Sequence, residues 1–289
     1  MTTTSQFLTV SQNLARYQTM TSAEPAVKTA GQYYAANIGK VTSAAGLVNN
    51  FRLLSYALDA FGLGTFVSDK ALITQVIDGG VTNRKALANT LNDPRWFAFA
   101  KAFDFTEKGA ASVTSSTAVA STTHAYVESQ LESDQGQQDP GVQLALYFQR
   151  VAPTVTSAYG ILADPNLLNV VQTVFGLPPV VGSTNIDQQA NTISKLVPLA
   201  TLSDPTKLQN LTERFTAMYE LTYGPTSNNP NGLAAASNDS ASTPSGASTV
   251  LAGIISSTGG ALAGLSGSGG SLFSNQLMTS LQGLQLGGL

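Results

Sequence analysis

The chain has no cysteine, which removes disulfides, thiolate metal sites and thiol nucleophiles together. It has one histidine, His124, and one tryptophan, Trp96. A His-based metal centre or a Ser/His/Asp triad would hang on a single residue, so His124 reads as a surface or interface side chain. Charge is sparse, with 14 Lys plus Arg against 17 Asp plus Glu in 289 residues and no basic cluster. Without a basic face to neutralise phosphates, nucleic acid is not an expected partner. Long apolar runs are also missing. Thr249 to Leu265 comes nearest, but Ser, Thr and four glycines interrupt it, and it falls short of the roughly 20 residues a membrane span needs. The opening MTTTSQFLTVSQNLARYQTM has neither the basic start nor the apolar centre of a secretory signal, its first basic residue being Arg16. No GxGxxG follows a strand pattern and no GxxxxGK[ST] occurs, so no phosphate cradle or cofactor is read.

What the chain does have is one stretch written twice. Tyr33 to Leu63 reads YYAANIGKVTSAAGLVNNFRLLSYALDAFGL, and Tyr147 to Leu177 reads YFQRVAPTVTSAYGILADPNLLNVVQTVFGL. Without a gap they share Tyr33/Tyr147, Val41-Thr42-Ser43-Ala44/Val155-Thr156-Ser157-Ala158, Gly46/Gly160, Leu53-Leu54/Leu167-Leu168 and Phe61-Gly62-Leu63/Phe175-Gly176-Leu177. A match at constant offset predicts an internally duplicated architecture. We divide the chain into a first helical repeat at 1–110, a second at 111–224, and a low-complexity linker with an apolar tail at 225–289.

Apolar spacings of three and four predict helices almost throughout. They are expected over Ser5 to Met20, from Pro25 to a stop at Ile38-Gly39, as one helix from Ala44 to Phe61 closed by Gly62, over Ser68 to Ile77 and over Asn83 to Leu91. Asp-Pro pairs then mark starts at Asp93-Pro94, Asp139-Pro140, Asp164-Pro165 and Asp204-Pro205, because Asp accepts the free N–H groups and Pro needs none in the first turn. Ile186 to Leu199 is a further helix. Thr106 to Ser121 lacks a period and reads as a linker or weakly helical join, with a helix beginning near it and running through Tyr126, Val127 and Leu131. No alternating strand pattern bounded by hairpin turns occurs, so the class is all-α, with two similar halves of about five helices. Gly224 to Ser248 is too polar and repetitive to form a core. Ser271 to Leu289 regains helical spacing with Phe273, Leu277, Leu281 and Leu284, and would gain order by docking.

Candidate chemistry is thin. The carboxylates read mainly as caps or solvated faces. Glu128 and Glu132 lie four apart and could share a cation, but a plain solvated face is the commoner meaning. Trp96, Phe97, Phe99 and Phe103 read as core rather than a stacking site. Residues that the two copies do not share are the better candidates for contact with partners: Lys40, Arg52 and Tyr56, with Phe273, Leu277, Leu281 and Leu284 in the tail. Arg52, replaced by Asn166 in the second copy, either marks a site or points to solvent.

The segments Tyr33-Tyr34, Ile38 to Val41, Phe51 to Leu58, Phe61 to Leu63, Ala88 to Trp96 and Phe103 to Phe105 resemble a domain-of-unknown-function family of alphaproteobacteria, commonly encoded among flagellar basal-body and hook genes. The similarity runs over about Phe7 to Tyr223. It implies an all-helical, flagellum-associated protein and carries over no catalytic residue. The Ala-Asn-x-x-Thr-Pro-Gly-Tyr signature of rod and hook proteins is missing near the N-terminus. The expectation is a non-enzymatic structural or assembly protein. It would reach the flagellum or periplasm by type III export, with flagellar proteins or copies of itself as partners. The alternative is a cytoplasmic chaperone or regulator of export.

Overall fold

Side chains that accept hydrogen bonds from free backbone N–H groups decide where most of the described helices begin. In a computed structural model of the protein, which describes residues 1–178 and 185–224, Thr2 caps α1 (Thr3–Gln12) and the chain bends at Asn13 into α2 (Leu14–Ala23). The single helix expected over Ser5 to Met20 is therefore two. Next comes α3 (Pro25–Asn37), followed by a 3-10 turn at Ile38–Lys40. Gly39 is not left-handed, so the helix ends in this tighter turn and not in the expected glycine cap.

The helix expected from Ala44 to Phe61 is also two, α4 (Ala44–Val48) and α5 (Phe51–Ala60). Asn50 accepts from Leu53 N at 3.2 Å and so restarts the chain. The end at Gly62 is as expected. Its φ is +70°, and Leu63 N returns to Leu58 O at 2.8 Å, a closure that favours glycine because it has no Cβ.

The remaining helices of this region are α6 (Lys70–Gly79), α7 (Leu87–Thr90), α8 (Pro94–Ala102), α9 (Phe105–Lys108) and α10 (Ala111–Thr114). The expected weak join is instead occupied by α9, α10 and the start of the 23-residue α11 (Ser116–Gln138), capped by Ser115. Its polar Ser/Thr/Ala opening gave no apolar period to read; packing against α2, α5 and α12 defines it. Then follow α12 (Pro140–Val151), a 3-10 turn at Ala152–Thr154, α13 (Ala158–Ala163), α14 (Pro165–Phe175), α15 (Ile186–Leu196), α16 (Leu199–Ser203) and α17 (Pro205–Tyr223). Val197-Pro198 splits the helix expected to Leu199. All four Asp-Pro starts hold: Asp93, Asp139, Asp164 and Asp204 each accept from a backbone N–H of the first turn.

The described residues contain no strand, and their helices outnumber the expected five per half because the chain breaks at Asn13, Asn50 and Val197-Pro198 and adds the short α9 and α10. No described helix is long and apolar enough to cross a membrane. Thr249 to Leu265, Phe273, Leu277, Leu281 and Leu284 lie outside the described residues.

Two apolar cores form. One gathers Tyr34, Leu47, Leu53, Leu54, Leu58, Ile73, Val76, Trp96, Phe99 and Phe103 from α3 to α8. The other gathers Val142, Phe148, Leu167, Val170, Ile193 and Phe215 from α12 to α17, together with Phe7 and Val10 of α1. The N-terminal helix thus serves the later core. Thr3 Oγ1 donates to Asp139 Oδ2 at 2.6 Å, and Gln6 Nε2 to Gln135 Oε1 at 3.1 Å.

Over the two similar stretches the boundaries keep one register. The two 3-10 turns, α4 and α13, and α5 and α14 begin at matched positions. Ser43 caps α4 at φ −155°, ψ 163°, and Ser157 caps α13 at φ −155°, ψ 160°. Gly62 and Gly176 are both left-handed, at +70° and +62°.

Candidate functional site

The most concentrated chemistry lies where the turn Asn92-Asp93-Pro94 meets the corner Thr154 to Gly160. Asn92 has a φ of +56°, the only positive value outside glycine among the described residues. Asn is among the few residues that tolerate this conformation. The bend delivers Asp93 to the head of α8, where it caps Arg95 N at 2.9 Å. It also brings the Asn92 carbonyl and the Pro94 ring against Gly160, where a Cβ would lie 3.3 Å from that oxygen.

Behind this turn, Arg95 reaches across the molecule. Its guanidinium pairs with Asp93 Oδ2 at 2.7 Å, donates to Gly62 O at 3.2 Å and approaches Asp164 Oδ2 at 3.5 Å. Asp164 caps α14, is fully buried, and accepts a short hydrogen bond from the Tyr147 hydroxyl. Burial pushes the Asp164 carboxyl up, and the Arg95 charge and Tyr147 hydroxyl offset part of that rise. The Tyr147 phenol is raised well above its ordinary value, by burial first and then by the Asp164 carboxylate. On the far side of the Tyr147 ring, Arg150 sits 5.3 Å from the centroid and clasps Glu132 with two bonds of 2.5 and 2.8 Å. Burial lifts Glu132 too, against the pull of Arg150.

The reading of Glu128 and Glu132 as a solvated pair therefore fails at Glu132, which is buried and matched to Arg150. Glu128 faces elsewhere, accepting from Gln18 at 3.2 Å and lying 3.3 Å from His124. No cluster of three or more metal-ligating side chains occurs among the described residues. His124 itself is 62% exposed, on α11 and not in a loop.

A cleft of about 120 Å³ opens beside the joint, lined by Asn89, Asn92, Phe97, Thr154, Thr156 and Ser157 among others. Local bonds already engage most of its polar side chains. Asn89 donates to Val81 O and Asn83 O, Thr154 to Val151 O, and Ser157 Oγ accepts from Gly160 N. Trp96, Phe99 and Phe103 are core residues as expected, whereas Phe97 is 39% exposed and faces the cleft.

The residues singled out from the sequence lie elsewhere. Lys40 is exposed, its Nζ 3.0 Å from Asn37 Oδ1. Arg52 is exposed and lies 3.8 Å above the Tyr33 ring, so it points outward. Tyr56 is 4% exposed and sits between Tyr34 and Tyr126 at centroid distances of 4.5 and 3.9 Å. A side chain so placed makes core, not a partner contact. Burial lifts its phenol to about 12, with the Thr123 side chain lowering it slightly.

Sequence reasoning missed Arg95, Tyr147, Arg150 and Glu132 as members of one network. A signal for it existed at Asp164, which stands where the first copy has Asn50. Both cap a helix, but only the aspartate brings a charge that must find a cation when buried.

A crystal structure of protein AGR_C_984 from Agrobacterium tumefaciens matches this fold with a TM-score of 0.69 at 36% sequence identity, covering 75% of this chain and 92% of that one. No curated protein matches the chain. The family model described as a protein of unknown function (DUF1217) matches residues 60–208, and with that coverage the chain belongs to the DUF1217 family.

Proposed function

We propose that the protein is a non-enzymatic structural or assembly component of the bacterial flagellum, built by internal duplication and working through protein–protein contacts. The observation that carries this reading is the use made of its convergent charges. Asp93, Arg95, Asp164, Arg150 and Glu132 bind one another inside the molecule, which suits a rigid body that presents surfaces. The shared register of α4 with α13 and α5 with α14 supports the duplication. The flagellar assignment rests on the resemblance of Phe51 to Leu63 and Ala88 to Trp96 to a family encoded among basal-body and hook genes. Type III export to the flagellum or periplasm accords with the Ser/Thr/Gln-rich start.

Deleting the gene should alter motility, flagellar number or hook length by electron microscopy; normal values for all three would sink the proposal. A second reading is a cytoplasmic export chaperone that holds a client in the cleft lined by Asn92, Phe97 and Thr156. Fractionation of an epitope-tagged protein in an export-competent strain separates the two, since recovery from cytosol alone would favour the chaperone.

A further inference from the structure

The first helix of the chain sits in a socket built by others far along the sequence. Phe7 and Val10 of α1 are buried in the core of α12 and α17. Polar contacts add to the fit. Thr3 bonds Asp139, Gln6 bonds Gln135 and lies 3.4 Å from Gln138 Oε1, and Thr4 N approaches Glu220 Oε2 at 3.5 Å. Gly141 keeps the floor of the socket open. A Cβ there would collide with the Tyr219 ring and lie 2.7 Å from Thr3 Cγ2, so α1 presses where a side chain would otherwise stand.

The bend behind α1 differs in kind from the break at Asn50, where a side-chain cap restarts the helix. No side chain caps α2. The Asn13 amide turns back instead and donates to Thr9 O at 2.9 Å. The Asn13 backbone, at φ −121°, ψ 27°, is only about 60–70° from helical values in each dihedral and stays on the negative side of φ. Neither glycine nor proline stands between Thr3 and Ala23, and apolar spacing runs unbroken across the bend. Nothing local therefore prevents one straight helix from α1 through α2. The bend is held by its two ends: α1 in its socket, and α2 on α11, where Gln18 donates to Glu128 at 3.2 Å and Thr21 is buried.

A bend held in this way has a second solution. With α2 left on α11, straightening at Asn13 carries Phe7 and Val10 out of their own socket, and the surface that matches them is the same socket in another molecule. We propose that α1 is exchanged between two copies of this chain, each straightening at Asn13 and seating its Thr3, Phe7 and Val10 in the α12–α17 socket of the other. The exchanged contact is the one already made within a single chain, so no new surface is needed, and reciprocity closes the pair about a two-fold axis. The exchange does not depend on the flagellar assignment.

The lack of cysteine lets paired variants report the exchange directly. Full-length Gln6→Cys and full-length Gln138→Cys are mixed in urea, refolded together at high concentration and treated with a short bis-maleimide. A covalent dimer is expected on a denaturing gel, because these positions meet across the socket. The double variant Gln6→Cys/Gln138→Cys, refolded dilute, should link within one chain; if it stays unlinked, the socket itself is wrong and the proposal falls with it. By sedimentation velocity the parent should show a concentration-dependent dimer. Asn13→Ala favours the straight helix in both copies and should lower the concentration at half-dimer by about tenfold. A parent that stays monomeric at every concentration would overturn the proposal, as would a dimer in which the Gln6→Cys and Gln138→Cys copies do not link, or one that Asn13→Ala leaves unmoved. A normal flagellar phenotype on gene deletion would remove the functional proposal and leave this exchange standing.

Discussion

Arg95 holds two carboxylates at a joint from which water is largely excluded, so its removal leaves Asp164 as a buried, unmatched acid. Breaking one side of a buried pair costs about 3–5 kcal/mol. Arg95→Met should lower unfolding stability by about that much in urea titrations, and adding Asp164→Asn should recover part of the loss because the stranded charge goes with it. The acid side of the network also sets a pH dependence. Burial raises Glu132 and Asp164 above their ordinary values, so the folded chain binds those protons more tightly than the unfolded chain does. Their contribution is complete below the ordinary carboxylate range and is lost as pH rises through the raised values. Asp204 works in the opposite sense, its contribution present above its ordinary value and lost as pH falls. Glu132→Gln removes one of the raised groups. The stability margin of the parent over Glu132→Gln should therefore widen as pH is lowered from about 7 to about 4, as read by thermal unfolding. A margin that narrows would mean Glu132 is not raised.

At the scale of elements, capping was the most legible feature of the sequence and packing the least. The four Asp-Pro starts could be placed from composition because the cap acts within one turn. The breaks at Asn13 and Asn50 could not, since apolar spacing runs straight through them and hides the cap by which Asn50 restarts its helix. The helix through Tyr126, Val127 and Leu131 was expected, but the opening of α11 was unreadable for the converse reason: it is helical without an apolar stripe, and contact with α5 and α12 holds α11 as a whole. The pairing of Arg95 with Asp164, and of Arg150 with Glu132, needed the fold because no local rule links such distant positions. The two corner glycines test this distinction directly. Gly46→Ala meets only ordinary contacts in α4 and should be neutral or stabilise by about 0.5–1 kcal/mol. Gly160→Ala presses on the Asn92 carbonyl and Val155 and should cost about 1–3 kcal/mol. Equal effects in denaturant titrations would remove the asymmetry between the corners.

For the whole molecule, the decisive arrangement is two cores tied by α11 and by the charged joint, with the first helix of the chain seated in the second core. Phe7 is completely buried there and Val10 nearly so. Burying side chains of this kind stabilises by about 1.5–3 kcal/mol each. Deleting residues 1–13 should therefore collapse hydrogen-exchange protection in α12 and α17 while α5 and α6 keep most of theirs. Uniform loss across both cores would show that they unfold as one. This placement also sets an order of events on the ribosome. The first core can close once the first half of α11 has emerged, but α1, made first, waits for α12 and then for Phe215 of α17 near the end of the described chain. A pull on the N-terminus would act in the reverse sense: it would draw Phe7 out of the later-formed core, so the half made last would be the first to open.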